Sequence, residues 1–307
     1  MPAPHFADPS IRRIDCGGRD LVLDRPRIMA VLNLSADSFS GDGGFVDTEA
    51  AVAQALRMVE QGADLIDIGG ESTRPGASAV GVEQELRRVI PVIDALAGRI
   101  AVPISIDTSK PEVMRAAVAA GAGMVNDVRA LRAEGALEAA AELAVPVVLM
   151  HMQGEPAGMQ DAPHYDDVVA EVQRFLAERV FACEMNGIAK SRILIDPGFG
   201  FGKTLDHNLA LLARLPALAT LQCPILVGLS RKRMIGEITG QELTERAAGS
   251  AAAALIAVQR GAAIVRVHDV PATRDALSVW TALAPLIPAQ VSAVAAVAGS
   301  RRWGEDD

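Results

Sequence analysis

The chain predicts a (β/α)₈ barrel, and three observations carry that reading. Short β-branched runs alternate with segments of helical apolar period from about residue 28 onward. The runs are apolar on both faces, as parallel strands covered by helices are. Eight such units occupy roughly 250 residues, the size and count of that barrel. Aromatics make up only 3 % of a chain that is 50 % apolar, so Ala, Val, Leu and Ile fill the core, which suits a repeated βα unit. A doubly wound open sheet is the alternative. It usually has fewer strands and carries a phosphate fingerprint after the first, which is lacking here.

The strands are read at "IMAVLN" (28–33), "DLIDIG" (64–69), "PISIDT" (103–108), "GMVND" (123–127), "PVVLMH" (146–151), "RILID" (192–196), "PILVGL" (224–229) and "AIVRVH" (263–268). Three are entered through Gly-Ala pairs (Gly62-Ala63, Gly121-Ala122, Gly261-Ala262), where glycine suits a left-handed helix C-cap. Three open on proline (Pro103, Pro146, Pro224), tolerated where the N–H is not yet needed. Residues 11–24 read as a hairpin closing the barrel's bottom. Residues 1–290 form one domain on this reading, and 291–307 a poorly ordered tail.

Length and charge exclude several classes. The 307 residues carry a net charge of −9 with no basic cluster, which argues against a nucleic-acid surface. The start lacks an apolar signal region, and no apolar run approaches about 18 residues, so neither a secretory leader nor a membrane span is read. Cys16, Cys183 and Cys223 are scattered without a CxxC pair, as expected of free thiols in a cytoplasmic protein.

Chemistry in such a barrel gathers at the strands' C-terminal ends. These end on Asn33, on Asp67, on Asp107, on Asn126-Asp127, on Met150-His151, on Asp196, near Ser230-Arg231-Lys232, and on Arg266 and His268. Any one is a possible N-cap, Asp67 and Asp127 especially. Together at one mouth they describe a site. Asp107, Asn126, Asp196 and Lys232 offer what the donor and acceptor edge of a flat heterocycle needs, a carboxylate being able to accept two parallel N–H bonds. Asn33, Thr73, Arg74, Arg266 and His268 suit a phosphate-bearing group. Asn33 adds an oxygen for Mg²⁺, which needs few protein ligands when phosphates supply others. Lys232, between Arg231 and Arg233, is also placed for a lowered pKa.

Two glycine-rich insertions follow the first two strands, "SADSFSGDGGF" (35–45) and "ESTRPGASAVG" (71–81). Asp37, Ser38, Phe39, Thr73 and Arg74 within them favour lids over idle surface. The segment "DPGFGFGKT" (196–204) imitates a nucleotide-binding loop, but Pro197 stands where its first glycine belongs, and Asp196 would repel an anion. Asp196 is read instead as facing a heterocycle edge. Gly198, Gly200 and Gly202 are read as keeping the wall thin, and Lys203-Thr204 as a helix approach capped by Asp206.

The motifs "LNLSADSFSGDGG", "DIGGESTRPGA", "ISIDTSKPEVMRAA", "VNDVRAL", "LMHMQGEP", "LIDPGFGFGK", "LVGLSRKRMIG" and "IVRVHDV" resemble the dihydropteroate synthase family, in its order, over about residues 28 to 285. The resemblance implies a usually dimeric barrel joining 6-hydroxymethyl-7,8-dihydropterin diphosphate to p-aminobenzoate, with sulfonamides as inhibitors. It implies a pterin site of Asp107, Asn126, Asp196 and Lys232, and a diphosphate and Mg²⁺ site of Asn33, Thr73, Arg266 and His268. Arg74, Pro75, Phe201 and the Lys232-Arg233 pair would shape the p-aminobenzoate pocket. Met150 and Gly200 join the substrate-binding set, and Asp37, Thr73, Arg74, Lys232, Arg266 and His268 the reacting centre. Ser35-Ala36 replace the family's common Thr-Pro, and Gly41 is an extra residue, which leaves the first lid more freedom to lose on closing. Three other readings stay open: a methyltetrahydrofolate–corrinoid methyltransferase, an aldolase-like enzyme using Lys232 as a Schiff base, and a silent pterin-binding paralogue.

Overall fold

The computed structural model describes residues 12–34, 47–72, 80–154, 159 and 162–287. Two short strands, β1 (Arg12–Asp15) and β2 (Asp20–Leu23), pair antiparallel. Eight more follow: β3 (Arg27–Asn33), β4 (Leu65–Gly69), β5 (Ile104–Asp107), β6 (Met124–Asp127), β7 (Val147–Met150), β8 (Ile193–Asp196), β9 (Ile225–Val227) and β10 (Ala262–Val267). They close into a barrel in chain order, β10 pairing with β3, and every barrel pairing is parallel. The helices are α1 (Thr48–Glu60), α2 (Val82–Ala97), α3 (Pro111–Ala119), α4 (Ala136–Leu143), α5 (Val168–Met185), α6 (Leu205–Ala213), α7 (Arg233–Thr239), α8 (Ala247–Gln259) and α9 (Val270–Leu283).

Two-residue alternation separates two cores. In β3, Ile28, Ala30 and Leu32 belong to the large layer between strands and helices. Met29 belongs to a second core inside the barrel with Leu65, Met124, Val148, Leu194, Leu226 and Ile264. Ile14, Leu21 and Leu23 of the hairpin pack on that inner layer, so the hairpin plugs the bottom as its position in the sequence suggests. At Gly123 a Cβ would lie 2.0 Å from the carbonyl oxygen of Cys16, so only glycine lets the plug approach this closely.

The joints follow local chemistry. Gly62, Gly121 and Gly261 all take positive φ (+105°, +114° and +100°), as the helix-to-strand turns require. Pro103, Pro146 and Pro224 sit one residue before their strands. Each lacks an N–H, yet their carbonyls accept from Ile66, Val125 and Ile195 at 3.1, 2.9 and 3.0 Å. The three cysteines are buried free thiols. No helix among the described residues is long and apolar enough to cross a membrane. The 291–307 segment lies outside the described residues.

Candidate active site

Register puts the inward residues at the strands' C-terminal ends into one row. Asn33 pairs with Gly69, Gly69 with Asp107, and Asp107 with Asn126. Across the barrel Met150 pairs with Asp196. Gly69 opens the row, since a Cβ there would stand 3.5 Å from the Cβ of Asp107 and 3.8 Å from Oδ1 of Asn33.

Arg266 lies at the centre. Its Nε donates to Oδ2 of Asp67 at 2.6 Å and its Nη2 to Oδ2 of Asp107 at 2.7 Å. Asn126 Nδ2 donates to the same Asp67 oxygen at 3.1 Å. Burial pushes the Asp107 carboxyl above the usual carboxylate range, with Arg266 opposing and Asp67, Glu85 and Asp127 adding to the rise. Burial raises Asp196 too, against Lys232, the Gly198 N–H and Arg266. Three carboxylates thus share a dry mouth with two cations. A ligand edge bearing N–H donors relieves the excess, because it replaces lost water at the carboxylates.

The loop after β8 forms the facing wall. Asp196 Oδ1 accepts from Gly198 N at 2.7 Å, which leaves its other oxygen to the mouth. Lys232 donates to the carbonyl of Phe199, and its Nζ lies 4.5 Å from the Phe201 ring centroid. Burial pulls the Lys232 pKa down to about 8, with Asp196 opposing and Arg266 assisting. The fall expected from the sequence is therefore present, but it comes from burial and not from its arginine neighbours. Phe201 is half-buried against Val128, Met150, Met152 and Met159, an apolar patch beside the polar row.

The structure revises several expectations. Asp67 caps no helix; it is fully buried and holds Arg266 and Asn126. Asp127 caps a turn and not the next helix, whose N-cap is Gly135; it accepts from the Ser109 hydroxyl and from Arg129 and Leu131 N–H groups, both at 2.8 Å. Arg266 stands among the carboxylates, because its inward side chain is long enough to span β4 and β5. Arg233 is not part of the cluster: at the first position of α7 it points to solvent and pairs with Glu237 at 2.6 Å. Helix α6 is capped by Thr204, not Asp206, in a reciprocal pair with His207 at 3.2 Å each way. Gly198 and Gly202 do not serve a ring. At φ of +67° and +60° they lie against the exit of β7, where Cβ atoms would meet the His151 and Gln153 carbonyls at 1.8 and 2.5 Å. Gly200 faces Lys232.

His268 keeps its strand-end place. Its backbone N–H donates to Ser230 Oγ at 3.1 Å, and its Nδ1 lies 3.1 Å from the same oxygen. Asp37, Ser38, Phe39, Thr73, Arg74 and Pro75 lie outside the described residues.

Sequence reasoning missed two supports. Arg231 holds the Lys232 loop in left-handed backbone (φ +58°), with Nε donating to Asp269 at 2.9 Å and its N–H to Ser250 Oγ at 2.9 Å. Lys203 is buried, its Nζ 2.9 Å from Gly198 O, 3.0 Å from Phe201 O and 2.9 Å from His151 Nδ1. Burial pulls the Lys203 pKa well below the ordinary lysine value. The two carbonyls accept from its N–H groups, and the tautomer of His151 sets the direction of the third bond. The signal for Lys203 was its position after a glycine loop that cannot hold a phosphate.

Fold and mouth together define a (β/α)₈ enzyme whose strand ends gather carboxylates, an amide and two cations at one mouth. The family described as "Pterin binding enzyme" matches residues 29–268. The dihydropteroate synthase of Escherichia coli (strain K12) is 54 % identical over 262 residues, 85 % of this chain and 93 % of that protein. The structure of the Xanthomonas albilineans dihydropteroate synthase with 4-aminobenzoic acid is 64 % identical, with a TM-score of 0.85 over 90 % of this chain and 99 % of that one. The same enzyme with 7,8-dihydropteroate gives 60 % and 0.80 over 90 % and 100 %. The Yersinia pestis dihydropteroate synthase with a sulfonamide drug gives 48 % and 0.84 over 88 % and 98 %. The chain belongs to the dihydropteroate synthase family. The corrinoid-methyltransferase and Schiff-base readings fall with that membership.

Proposed function

We propose that the chain condenses 6-hydroxymethyl-7,8-dihydropterin diphosphate with p-aminobenzoate, releasing pyrophosphate and forming 7,8-dihydropteroate. One observation carries the reading: half-buried Asp107 with buried Asn126 and Asp196 around Arg266 and Lys232, beside the apolar patch at Phe201 and Met150. The carboxylates accept from the 2-amino-pyrimidinone edge, and Lys232 donates to the ring. The arylamine takes the patch.

The attacked carbon is a CH₂ on an electron-rich ring. Breaking its C–O bond sends the electron pair out with diphosphate and leaves a cation delocalised into the pterin. The amine nitrogen's lone pair then forms the C–N bond, and its proton leaves to solvent, a phosphate oxygen or Asp37. A neutral aniline needs no strong base, so positioning and exclusion of water carry the catalysis. On this reading Arg266 and His268 stabilise the charge that leaves with diphosphate.

Mg²⁺ fits the donor set. Among the described residues no group of three or more His, Cys, Asp or Glu could hold a metal, so an ion here takes most ligands from water and diphosphate. Asn33 would hold it with its amide oxygen, and when bound it would neutralise charge on the leaving group.

Pairing of two copies through α7 to α9 is part of the proposal. Ile238, Ile256, Val279 and Leu283 are 54 %, 40 %, 69 % and 49 % exposed there, more apolar surface than a solvated face needs. Sulfonamides are expected to compete for the arylamine pocket, and free buried cysteines suit the cytoplasm. Conversion of labelled p-aminobenzoate to dihydropteroate tests the function. Substrate binding without product would make the chain a silent paralogue.

A further inference from the structure

We infer that Lys203 is a positioning residue that sets the arylamine pocket by holding the glycine loop from beneath. The inference rests on reading Phe201 as a wall of that pocket. Residues 198–202 form no helix or strand, so their shape depends on what their carbonyls meet. Gly198 O accepts from Phe201 N at 3.1 Å and from Lys203 Nζ at 2.9 Å; Phe201 O accepts from the same nitrogen at 3.0 Å. Gly202 O accepts from the Tyr165 hydroxyl at 2.9 Å, and Gly200 N donates to Asn208 Oδ1 at 2.8 Å.

The third partner of Lys203 is His151 Nδ1 at 2.9 Å. That ring is itself fixed, edge-on to Phe175 at 4.9 Å, and its backbone N–H donates to Asp196 O at 2.9 Å. Burial, with Lys203 and Arg132 assisting, lowers the His151 pKa to about 2, so the ring is neutral. Lys203 therefore ties the exit of β7 to both ends of the turn that carries Phe201. From the mouth side Lys232 grips the Phe199 carbonyl. Two lysines clasp one loop, and only the outer one is placed to meet substrate. The loop needs a polar nitrogen rather than an apolar filler, because Phe201 O would otherwise lose its donor, His151 Nδ1 its partner, and Gly198 O would keep only the Phe201 N–H.

The test compares Lys203→Met, Lys203→Gln, Phe201→Ala and the double variant Lys203→Met/Phe201→Ala. For each, kcat and KM for p-aminobenzoate are measured at saturating pterin diphosphate, and pterin diphosphate affinity by calorimetry without the amine. Lys203→Met is expected to raise the p-aminobenzoate KM on the order of 10-fold, as a misplaced wall does, with pterin affinity within about 3-fold. Lys203→Gln, which keeps two donors and serves if the methionine variant fails to fold, gives a smaller rise in the same direction. The double variant should be no worse than Phe201→Ala, since both act through one ring. Unchanged KM in the foldable variants, equal loss of both substrates, or additive effects would overturn the inference. If Phe201→Ala alone leaves that KM unchanged, the pocket reading itself fails, and the inference with it.

Discussion

Nε of Arg266 on the last strand lies 2.6 Å from Oδ2 of Asp67 on the second barrel strand, joining residues 199 positions apart. The bond spans the mouth where β10, β3 and β4 lie side by side, and the other arm of the same guanidinium reaches Asp107. Arg266 is therefore tied into the carboxylate cluster through Asp67 and Asp107. Removing one partner of a buried pair leaves an uncompensated charge. Asp67→Asn is expected to cost about 3 kcal/mol of stability, the lower end for such a loss because Asp107 remains. Urea denaturation checks this through a lower midpoint at unchanged slope.

Asp196 already gives Oδ1 to the Gly198 N–H, so in Asp196→Asn the amide oxygen stays there and the NH₂ faces the ligand. A donor then meets a donor edge. Pterin affinity should fall roughly 100-fold, the worth of a charge-assisted hydrogen bond plus an unpaired group. Calorimetry with the pterin alone reads it, and an unchanged dissociation constant would remove Asp196 from the site.

The Lys232 pKa of about 8 has two opposite consequences with pH. The folded value lies below the ordinary 10.5, so between about pH 8 and 10.5 the unfolded chain binds more protons and stability rises with pH. Over the same window the ammonium that donates to the pterin is lost, so affinity falls as pH rises through about 8. Denaturation and calorimetry across this range should diverge in sign, and Lys232→Met should abolish both trends.

Thr204→Ala should cost about 1 kcal/mol through the lost N-cap of α6, with kcat unchanged. Asp206→Asn loses only an interaction with the helix dipole, about 0.3–1 kcal/mol. Thermal melts of the pair distinguish the observed cap from the one expected of the sequence.

Local pattern made the barrel legible. Strand runs such as "ISID" and "VVLM", the Gly-Ala joints and the leading prolines each state a backbone need within a few residues. Asp107, Asn126 and Asp196 could be read because they end strands in a fold that gathers strand ends. Asp67 could not. In "LIDIG" it has the same inward parity as Leu65 and Gly69, and nothing nearby says that its partner is Arg266. Arg233 erred the other way: its neighbour Lys232 turns inward, while a short helix and Glu237 draw Arg233 out. Lys203 was hidden by the phosphate-loop likeness, which directed attention to anions and away from the loop's own carbonyls.

The most direct measurement is pyrophosphate release on mixing the purified chain with 6-hydroxymethyl-7,8-dihydropterin diphosphate, p-aminobenzoate and Mg²⁺, with each omitted in turn. The account predicts one pyrophosphate per dihydropteroate formed, lost when Mg²⁺ or the pterin is left out. Binding of both substrates at the barrel mouth without pyrophosphate or product would contradict it.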